Sequence, residues 1–300
     1  MTKTAVVTGG TGGIGLETAR GLAAAGYAVT VVGRDEERGA RAVERIGAGA
    51  GAGATAGSAR FLPADLGSLD QVRALAARIA AEHAARGEGL TVLVNNVGAM
   101  FPRRRTLDGI EASFVVNHLS PYLLTELLLP TLAAGAPSRI VNVTSGAVGV
   151  ARRVFDGVEP PGGYYGFHHY GRAKLAHLAH TLDLAARLDG TGVSVLAADP
   201  GGAATGMTDG TMTDPRIVSP ALRLLWPLVR RRFARATSGP ASAAARSSIA
   251  AATDTALTGR TGLVIGPSAR PVAPFRPAAD PRLAAAVRRL SEAHAPAPAP

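Results

Sequence analysis

The sequence holds 300 residues, 47% of them hydrophobic, with a formal charge of +10 and no cysteine. That length suffices for one large domain whose core buries ~75% of the unfolded surface without covalent staples. The composition excludes a disulfide framework, a thiolate metal site, a cysteine nucleophile and disorder throughout the chain. Thirty of the 32 basic residues are arginine, and Lys3 and Lys174 are the two lysines. Alongside 37 glycines and 20 prolines, this reads as compositional drift rather than a nucleic-acid surface. Such a surface interleaves basic stripes with stacking aromatics, whereas aromatics are 4% here and the arginine clusters 103–105, 152–153 and 230–232 lie far apart. The apolar run 5–7 is too short for a signal-peptide core, and no stretch approaches the ~20 apolar residues of a membrane span. The expectation is a cytoplasmic protein with no nucleic-acid partner and no membrane span.

Short apolar runs alternate with helical patterns along the chain. Strands are predicted at 5–8, 28–32, 60–63, 91–94, 139–143, 193–197 and 263–265. Helices are predicted over 14–25, 35–46, 69–85, 110–132 and 170–188. Strands apolar throughout, separated by helices, indicate an α/β fold with a doubly wound parallel sheet covered on both faces. The expected unit spans 1–270, followed by a carboxyl-terminal extension over 271–300. Within the unit, 47–58 is low-complexity Gly/Ala and reads as a surface loop. The Ala/Pro alternation of 295–300 reads as a frayed tail. The excursion 205–238, between the sixth and seventh strands, is a candidate helical substrate lid, because such sheets bind ligands at the carboxyl ends of their strands.

The first strand empties into Thr8-Gly9-Gly10-Thr11-Gly12-Gly13-Ile14-Gly15 and then a helix. Glycines let a backbone approach a pyrophosphate closely, and a helix N-terminus supplies free N–H groups and a positive dipole. At the first strand–helix junction this points to a dinucleotide. An acidic residue ending the second strand would bind the ribose hydroxyls of NAD. Gly33 stands at that place and Arg34 follows, which suits the 2′-phosphate of NADP. Asp35, one residue on, keeps NAD open.

Tyr170 and Lys174 stand at i and i+4, on one face of the predicted helix. A neighbouring cation favours phenolate and lowers a tyrosine pKa from its ordinary ~10, as a proton donor working near neutrality requires. In a chain that otherwise writes its cations as arginine, the sole internal lysine falls at this spacing.

These motifs together resemble the short-chain dehydrogenase/reductase family over residues 4–266, and the resemblance implies a Rossmann fold. Thr8-Gly9-x-x-x-Gly13-Ile14-Gly15 matches its glycine motif, with Thr11 and Gly12 inside it among the expected cofactor contacts, and Asn95-Asn96-Val97-Gly98 matches its segment after the fourth strand, with Val97 where alanine is usual. Asp65-Leu66 is similar to its adenine-contacting pair, and Pro200-Gly201 with Thr205 to its nicotinamide-side motif. The resemblance implies a catalytic tetrad of Asn117, Ser145, Tyr170 and Lys174. Ser145 would orient the substrate carbonyl, and Tyr170 would pass the proton. Lys174 would hold the nicotinamide ribose and depress the tyrosine pKa, and Asn117 would link Lys174 to a proton path through water. The implied activity is an NADP-dependent interconversion of carbonyl and alcohol on a small, lipophilic molecule. No metal is expected, and either a monomer or a homo-oligomer is compatible.

The segment Asp108-Gly109-Ile110-Glu111, leading into Phe114-Val115-Val116-Asn117-His118-Leu119, resembles the retinol-dehydrogenase-like subgroup, as does the long stretch from Ser145 to Tyr170. Gly12 and Gly15 also fit the extended, sugar-epimerase-like branch, and a non-catalytic cofactor sensor on the same fold is a third reading. His168 and His169 point to different helix faces without a carboxylate set, and His177 and His180 read as structural. The stretch 221–233, with the single tryptophan Trp226, reads as a pocket wall in preference to a membrane-touching surface.

Overall fold

The computed structural model describes residues 3–49, 58–202 and 214–297. The first half alternates β1 (Thr4–Thr8), α1 (Gly13–Ala24), β2 (Ala28–Gly33), α2 (Glu36–Gly49), β3 (Ala59–Pro63), α3 (Leu69–Ala85) and β4 (Val92–Asn95). A small hairpin, β5 (Thr106–Leu107) and β6 (Ile110–Glu111), leads through α4 (Ala112–Phe114) and a π-helical turn, Val115–Leu119, into α5 (Ser120–Ala134). Then follow β7 (Ser138–Val143), α6 (Gly166–Arg187) and β8 (Val193–Ala198). The last described part contains α7 (Pro220–Leu224), α8 (Trp226–Ala236), α9 (Ala241–Thr253), β9 (Val264–Ile265), β10 (Pro271–Val272) and α10 (Pro281–His294).

Among the described residues the main sheet has eight strands in the order β10-β9-β8-β7-β4-β1-β2-β3. All pairings are parallel except β10 with β9. β1 carries both halves: Ala5 lies opposite Val29 of β2 on one side and Val92 of β4 on the other. Strand order therefore reverses between β1 and β4, and the crevice at their carboxyl ends is the topological switch point.

Side-chain alternation divides the strands between two cores. Val6 and Leu93 join Leu75, Leu123 and Leu175 in the layer under α3, α5 and α6. Ala5, Val7 and Val94 join Leu16, Ile46 and Ala251 in the layer under α1, α2 and α9. Every residue of β1, β4 and β8 is buried, which is why these strands read as unbroken apolar runs.

Three features depart from the sequence expectations. The pattern over 110–132 is not one helix: Asp108 and Gly109 adopt φ of +50° and +76° and close the hairpin. Buried Glu111 then starts a new helical segment by accepting hydrogen bonds from the N–H groups of Ser113 and Phe114, at 2.8 and 3.0 Å. α6 begins at Gly166 rather than at 170, because its backbone lies against Phe101: a Cβ there would stand 2.2 Å from the Phe101 carbonyl oxygen. At the other end, Ala295 is buried and its N–H bonds the Ser291 carbonyl at 2.8 Å, so the tail expected to fray continues the α10 packing at that position. The start of the expected lid and the tail residues 298–300 lie outside the described residues, as does most of the loop 47–58, whose residues 47–49 end α2.

α10 docks through Leu283 and Val287 into the α6 side of the core. Ser291 Oγ sits 2.7 Å from buried His118 Nε2, and Arg288 pairs with Asp183 of α6. Among the described residues, no helix is long and apolar enough to cross a membrane. Val287→Asp would bury an unpaired carboxylate between α10 and α6. Urea unfolding followed by circular dichroism is expected to show a loss of about 3 kcal/mol or more, whereas a loss within ~0.5 kcal/mol would mean that the helix is not docked.

Candidate active site

The crevice at the switch point is a cavity of about 960 Å³. Of the residues singled out in the sequence, Gly9, Thr11, Gly12, Gly13, Ile14, Gly15 and Arg34 line its first end, with Asp65, Leu66, Val97 and Gly98 along its middle. Ser145, Tyr170, Lys174, Pro200 and Gly201 line the other end. Asn95 and Asn117 do not line it, and Thr205 lies outside the described residues.

The glycine turn is shaped by contacts that allow no side chain. A Cβ on Gly15 would stand 2.3 Å from the Gly9 carbonyl oxygen, and Gly9 and Gly13 have φ of +64° and +52°. Gly12 caps α1 with no side-chain acceptor, so the first-turn N–H groups are left to a ligand. The residue that fixes this turn is Asn96, which the sequence reading quoted but did not assign a role. Its Nδ2 donates to the carbonyls of Thr8 and Gly9 at 2.9 and 3.4 Å. In return, the Thr8 hydroxyl accepts from the N–H groups of Asn96 and Val97, at 3.0 and 3.1 Å. The neighbouring Asn95 points the other way and belongs to the core. Its Nδ2 donates to Thr125 Oγ1 and Asn142 Oδ1, each at 2.8 Å, tying β4 to α5 and β7. Its expected place among the cofactor contacts is therefore corrected: consecutive side chains at a strand end face opposite sides.

Arg34 is joined in the cavity wall by Arg38 on α2, a residue the sequence reading passed over. Arg38 Nη2 lies 3.1 Å from where a Gly12 Cβ would be, so this end gathers two guanidinium groups and a bare helix N-terminus. Asp35 also lines the wall, but its Oδ1 accepts the Arg38 backbone N–H at 2.9 Å and caps α2.

At the other end, Ser145 follows β7 by two residues and caps the short helical turn after it, its Oγ accepting from Ala147 N at 3.2 Å. Tyr170 is buried on the same wall, near enough to Ser145 for the serine hydroxyl to pull its pKa down. Lys174 Nζ donates to the Val143 carbonyl at 2.9 Å and reaches the Val97 carbonyl at 3.5 Å. Asn117 sits in the π-helical turn behind this wall. Its Nδ2 donates to the carbonyls of Ala99 and Ser113 at 2.7 and 2.8 Å, and its Oδ1 accepts Ala99 N at 3.1 Å. A Cβ on Gly98 would meet Asn117 Oδ1 at 3.3 Å and Lys174 Nζ at 3.6 Å, so these two side chains converge on that glycine.

The model of the family described as short chain dehydrogenase matches residues 3–216. The chain belongs to the short chain dehydrogenase family. Retinol dehydrogenase 12 of Mus musculus is 40% identical over 201 residues, covering 66% of this chain and 61% of that protein. Polyprenol dehydrogenase of the same species is 41% identical over 206 residues, covering 66% and 59%. The chain thus spans about three fifths of the length of these relatives. Among solved structures, RhlG of Pseudomonas aeruginosa in an NADP active-site complex superposes with a TM-score of 0.64 at 27% identity, covering 88% of this chain and 94% of that one. Members of this family bind NAD(P), and the residues present fit that group. The side-chain-free turn, the uncapped helix end and the two arginines make the anion-receiving half.

Electrostatics at the chemical end differ from the expectation in one respect. Burial pushes the Tyr170 phenol above its ordinary value, the Ser145 hydroxyl opposes this, and Asp199 adds to the rise. The Lys174 ammonium spends its hydrogen bonds on main-chain carbonyls, and burial brings its pKa down to about 8. The shared helix face set by i, i+4 spacing therefore does not by itself produce a lowered tyrosine.

A further cation on α6 is buried away from the cavity lining. Arg172, also missed in the sequence, is buried without a carboxylate and holds the 154–158 strand of chain. Its Nε and Nη2 donate to the Val154 carbonyl at 3.1 and 2.9 Å, Nη2 reaches Gly157 O at 2.6 Å, and Nη1 bonds Val158 O. The guanidinium also lies 4.3 Å from the Phe155 ring centroid. Among the described residues no group of His, Asp and Glu side chains is placed to hold a metal.

Because the folded pKa of Lys174 lies below its ordinary 10.5, the unfolded chain binds more protons between pH 8 and that value, and folding stability rises with pH across the window. Lys174→Met removes the desolvated charge but leaves the Val143 carbonyl without its donor. It is expected to raise stability at pH 7 by about 1–2 kcal/mol, with the gain shrinking as pH climbs from 8 towards 10.5. A variant less stable than the parent at pH 7 would contradict this account of the site.

Proposed function

We propose that the chain is an NADP-dependent oxidoreductase that interconverts a carbonyl and an alcohol on a small, lipophilic substrate, with Tyr170 as proton donor and acceptor. The observation that carries this reading is the convergence of Ser145, Tyr170 and Lys174 on the cavity whose far end is the glycine turn. When bound, the dinucleotide supplies or takes the electron pair that the interconversion exchanges. The turn at 9–15 holds its phosphates through backbone N–H groups. Arg34 and Arg38 receive the 2′-phosphate as planar donors, and the engagement of Asp35 in capping α2 favours NADP over NAD.

Ser145 donates its hydroxyl to the substrate oxygen and fixes it beside Tyr170. The phenol gives its proton to that oxygen during reduction and takes it back during oxidation. A phenol raised by burial is fully protonated at neutral pH, as reduction requires, and the phenolate that exists whenever the proton is on the substrate oxygen is stabilised by the Lys174 charge nearby. Asn117 anchors the loop carrying Ala99 and positions Lys174 across Gly98. Lipophilic preference follows from Met100 and Phe167 on the cavity wall, backed by Ile217, Trp226 and Phe233 in the cluster that includes Tyr170. The names of the relatives, retinol and polyprenol dehydrogenases, agree with an apolar alcohol or aldehyde.

Tyr170→Phe is expected to lower kcat for an aldehyde or ketone by about 1000-fold or more while leaving NADPH affinity within about threefold, read by absorbance and by fluorescence titration. Turnover retained in Tyr170→Phe would remove the proton-transfer role. Replacing Arg34 and Arg38 together by Gln is expected to weaken NADPH by about tenfold or more and NADH little. Equal weakening of both cofactors would overturn the 2′-phosphate assignment. A screen over aliphatic aldehydes, aryl ketones, steroids and quinones with each cofactor identifies the substrate class. Persistent inactivity across the panel, with NADPH bound, would favour a cofactor sensor.

A further inference from the structure

Helices α7 and α8 carry two opposed faces. On the inner face, Trp226, Val229 and Phe233 recur at helical spacing and pack on the cluster containing Met100, Tyr170 and Ile217. Phe233 lies 4.9 Å from Phe167 and 6.5 Å from Trp226, ring centre to ring centre. That face backs the part of the cavity wall made by Met100, Phe167 and Tyr170. The outer face is apolar and basic together. Leu224 is 86% exposed, Leu228 66% and Leu225 53%. Leu228 shares one surface depression of about 420 Å³ with Arg231, Arg232 and Arg235, the i, i+3, i+4 and i+7 positions of a single helix face. No aspartate or glutamate occurs between Asp214 and Asp254, so the segment has no acidic residues of its own to offset these charges.

We propose that the outer face of α7 and α8 is a docking surface for an anionic lipid bilayer. Leucines held in water beside a row of guanidinium groups match the two layers of such a surface: acyl-chain edge for Leu224 and Leu228, phosphate for Arg231, Arg232 and Arg235. Two other occupants fit worse. A second copy of this face would set arginine against arginine. A nucleic acid would need exposed stacking aromatics, and the aromatics of this segment, Trp226 and Phe233, are turned inward. The position of the helix gives docking a consequence: its inner face packs on Phe167 and Tyr170, which line the cavity, so a lipophilic molecule leaving the bilayer arrives beside that wall. The docking itself is independent of the catalytic assignment, and a lipid-binding assay reads it whether or not Tyr170 turns over a substrate.

The test is co-sedimentation of the full chain with vesicles of phosphatidylcholine alone and of phosphatidylcholine containing about one third phosphatidylglycerol, at low and high salt. The chain is expected to pellet with the anionic vesicles, to stay in solution with the zwitterionic ones, and to be released by salt. Replacing Arg231, Arg232 and Arg235 by Gln is expected to reduce partitioning by about tenfold or more. Leu224→Ser with Leu228→Ser is expected to reduce it as well, with circular dichroism confirming that each variant is folded. Both variants should keep the parent's NADPH affinity, because neither alters a residue of the nucleotide end. Three results would overturn the proposal: no binding to either vesicle; binding unchanged in the arginine variant; or a dimer abolished by Leu228→Ser without vesicle binding, which would assign the face to a second copy. Binding that ignores the leucines would also overturn it, leaving surface charge alone.

Discussion

Thr8 and Asn96 close the gap where the sheet reverses. β1 and β4 run side by side, but the chain leaves them towards opposite flanks, so their carboxyl ends would part without a tie. The Thr8 hydroxyl takes the N–H groups of Asn96 and Val97, while the Asn96 side chain takes the carbonyls of Thr8 and Gly9. This reciprocal arrangement satisfies main-chain groups that the parallel ladder leaves open. It also sets the path of the glycine turn on one side and of Val97 and Gly98 on the other. The anion end and the chemical end of the cavity thus share one clamp, and neither could move alone without breaking one of its hydrogen bonds.

Buried cations form the second theme. Lys174 and Arg172 lie two residues apart on α6, are both nearly inaccessible, and bond carbonyls rather than carboxylates. Such groups cost stability, because carbonyl dipoles replace hydration incompletely. Burial lowers Arg172 to about 10 and Lys174 to about 8. Arg172 stays charged at neutral pH and ties down the segment 154–158 through its carbonyls. Lys174 sits close enough to neutrality for its charge to respond to the chemistry beside it. One helix therefore carries two buried cations, distinguished by where the side chain reaches: towards the loop 154–158 or towards the cavity.

The sheet was legible in the sequence because strands buried on both faces, β1 and β8 among them, leave unbroken apolar runs. The cavity was legible to the extent that its residues sit at fixed offsets on those strands and helices: the glycine turn, Ser145, and Tyr170 with Lys174. What the sequence could not reveal depended on direction and on company. Asn95 and Asn96 are identical in type, and only the pleat at the end of β4 decides that one enters the core and the other the clamp. Arg172 and Arg38 were hidden among thirty arginines, and only burial or a neighbouring glycine singles them out. The break at Glu111 escaped because a two-residue strand has no period to detect. The raised phenol of Tyr170 required knowing that Lys174 turns to the Val143 carbonyl.

The central claim is that one dinucleotide bridges both sides of the Thr8–Asn96 clamp. Amide hydrogen exchange with and without NADPH tests it most directly. The account predicts that the amides of 9–15 and of 96–98 slow together, by about tenfold or more at saturating NADPH. Protection of one segment without the other, or of neither, would contradict it.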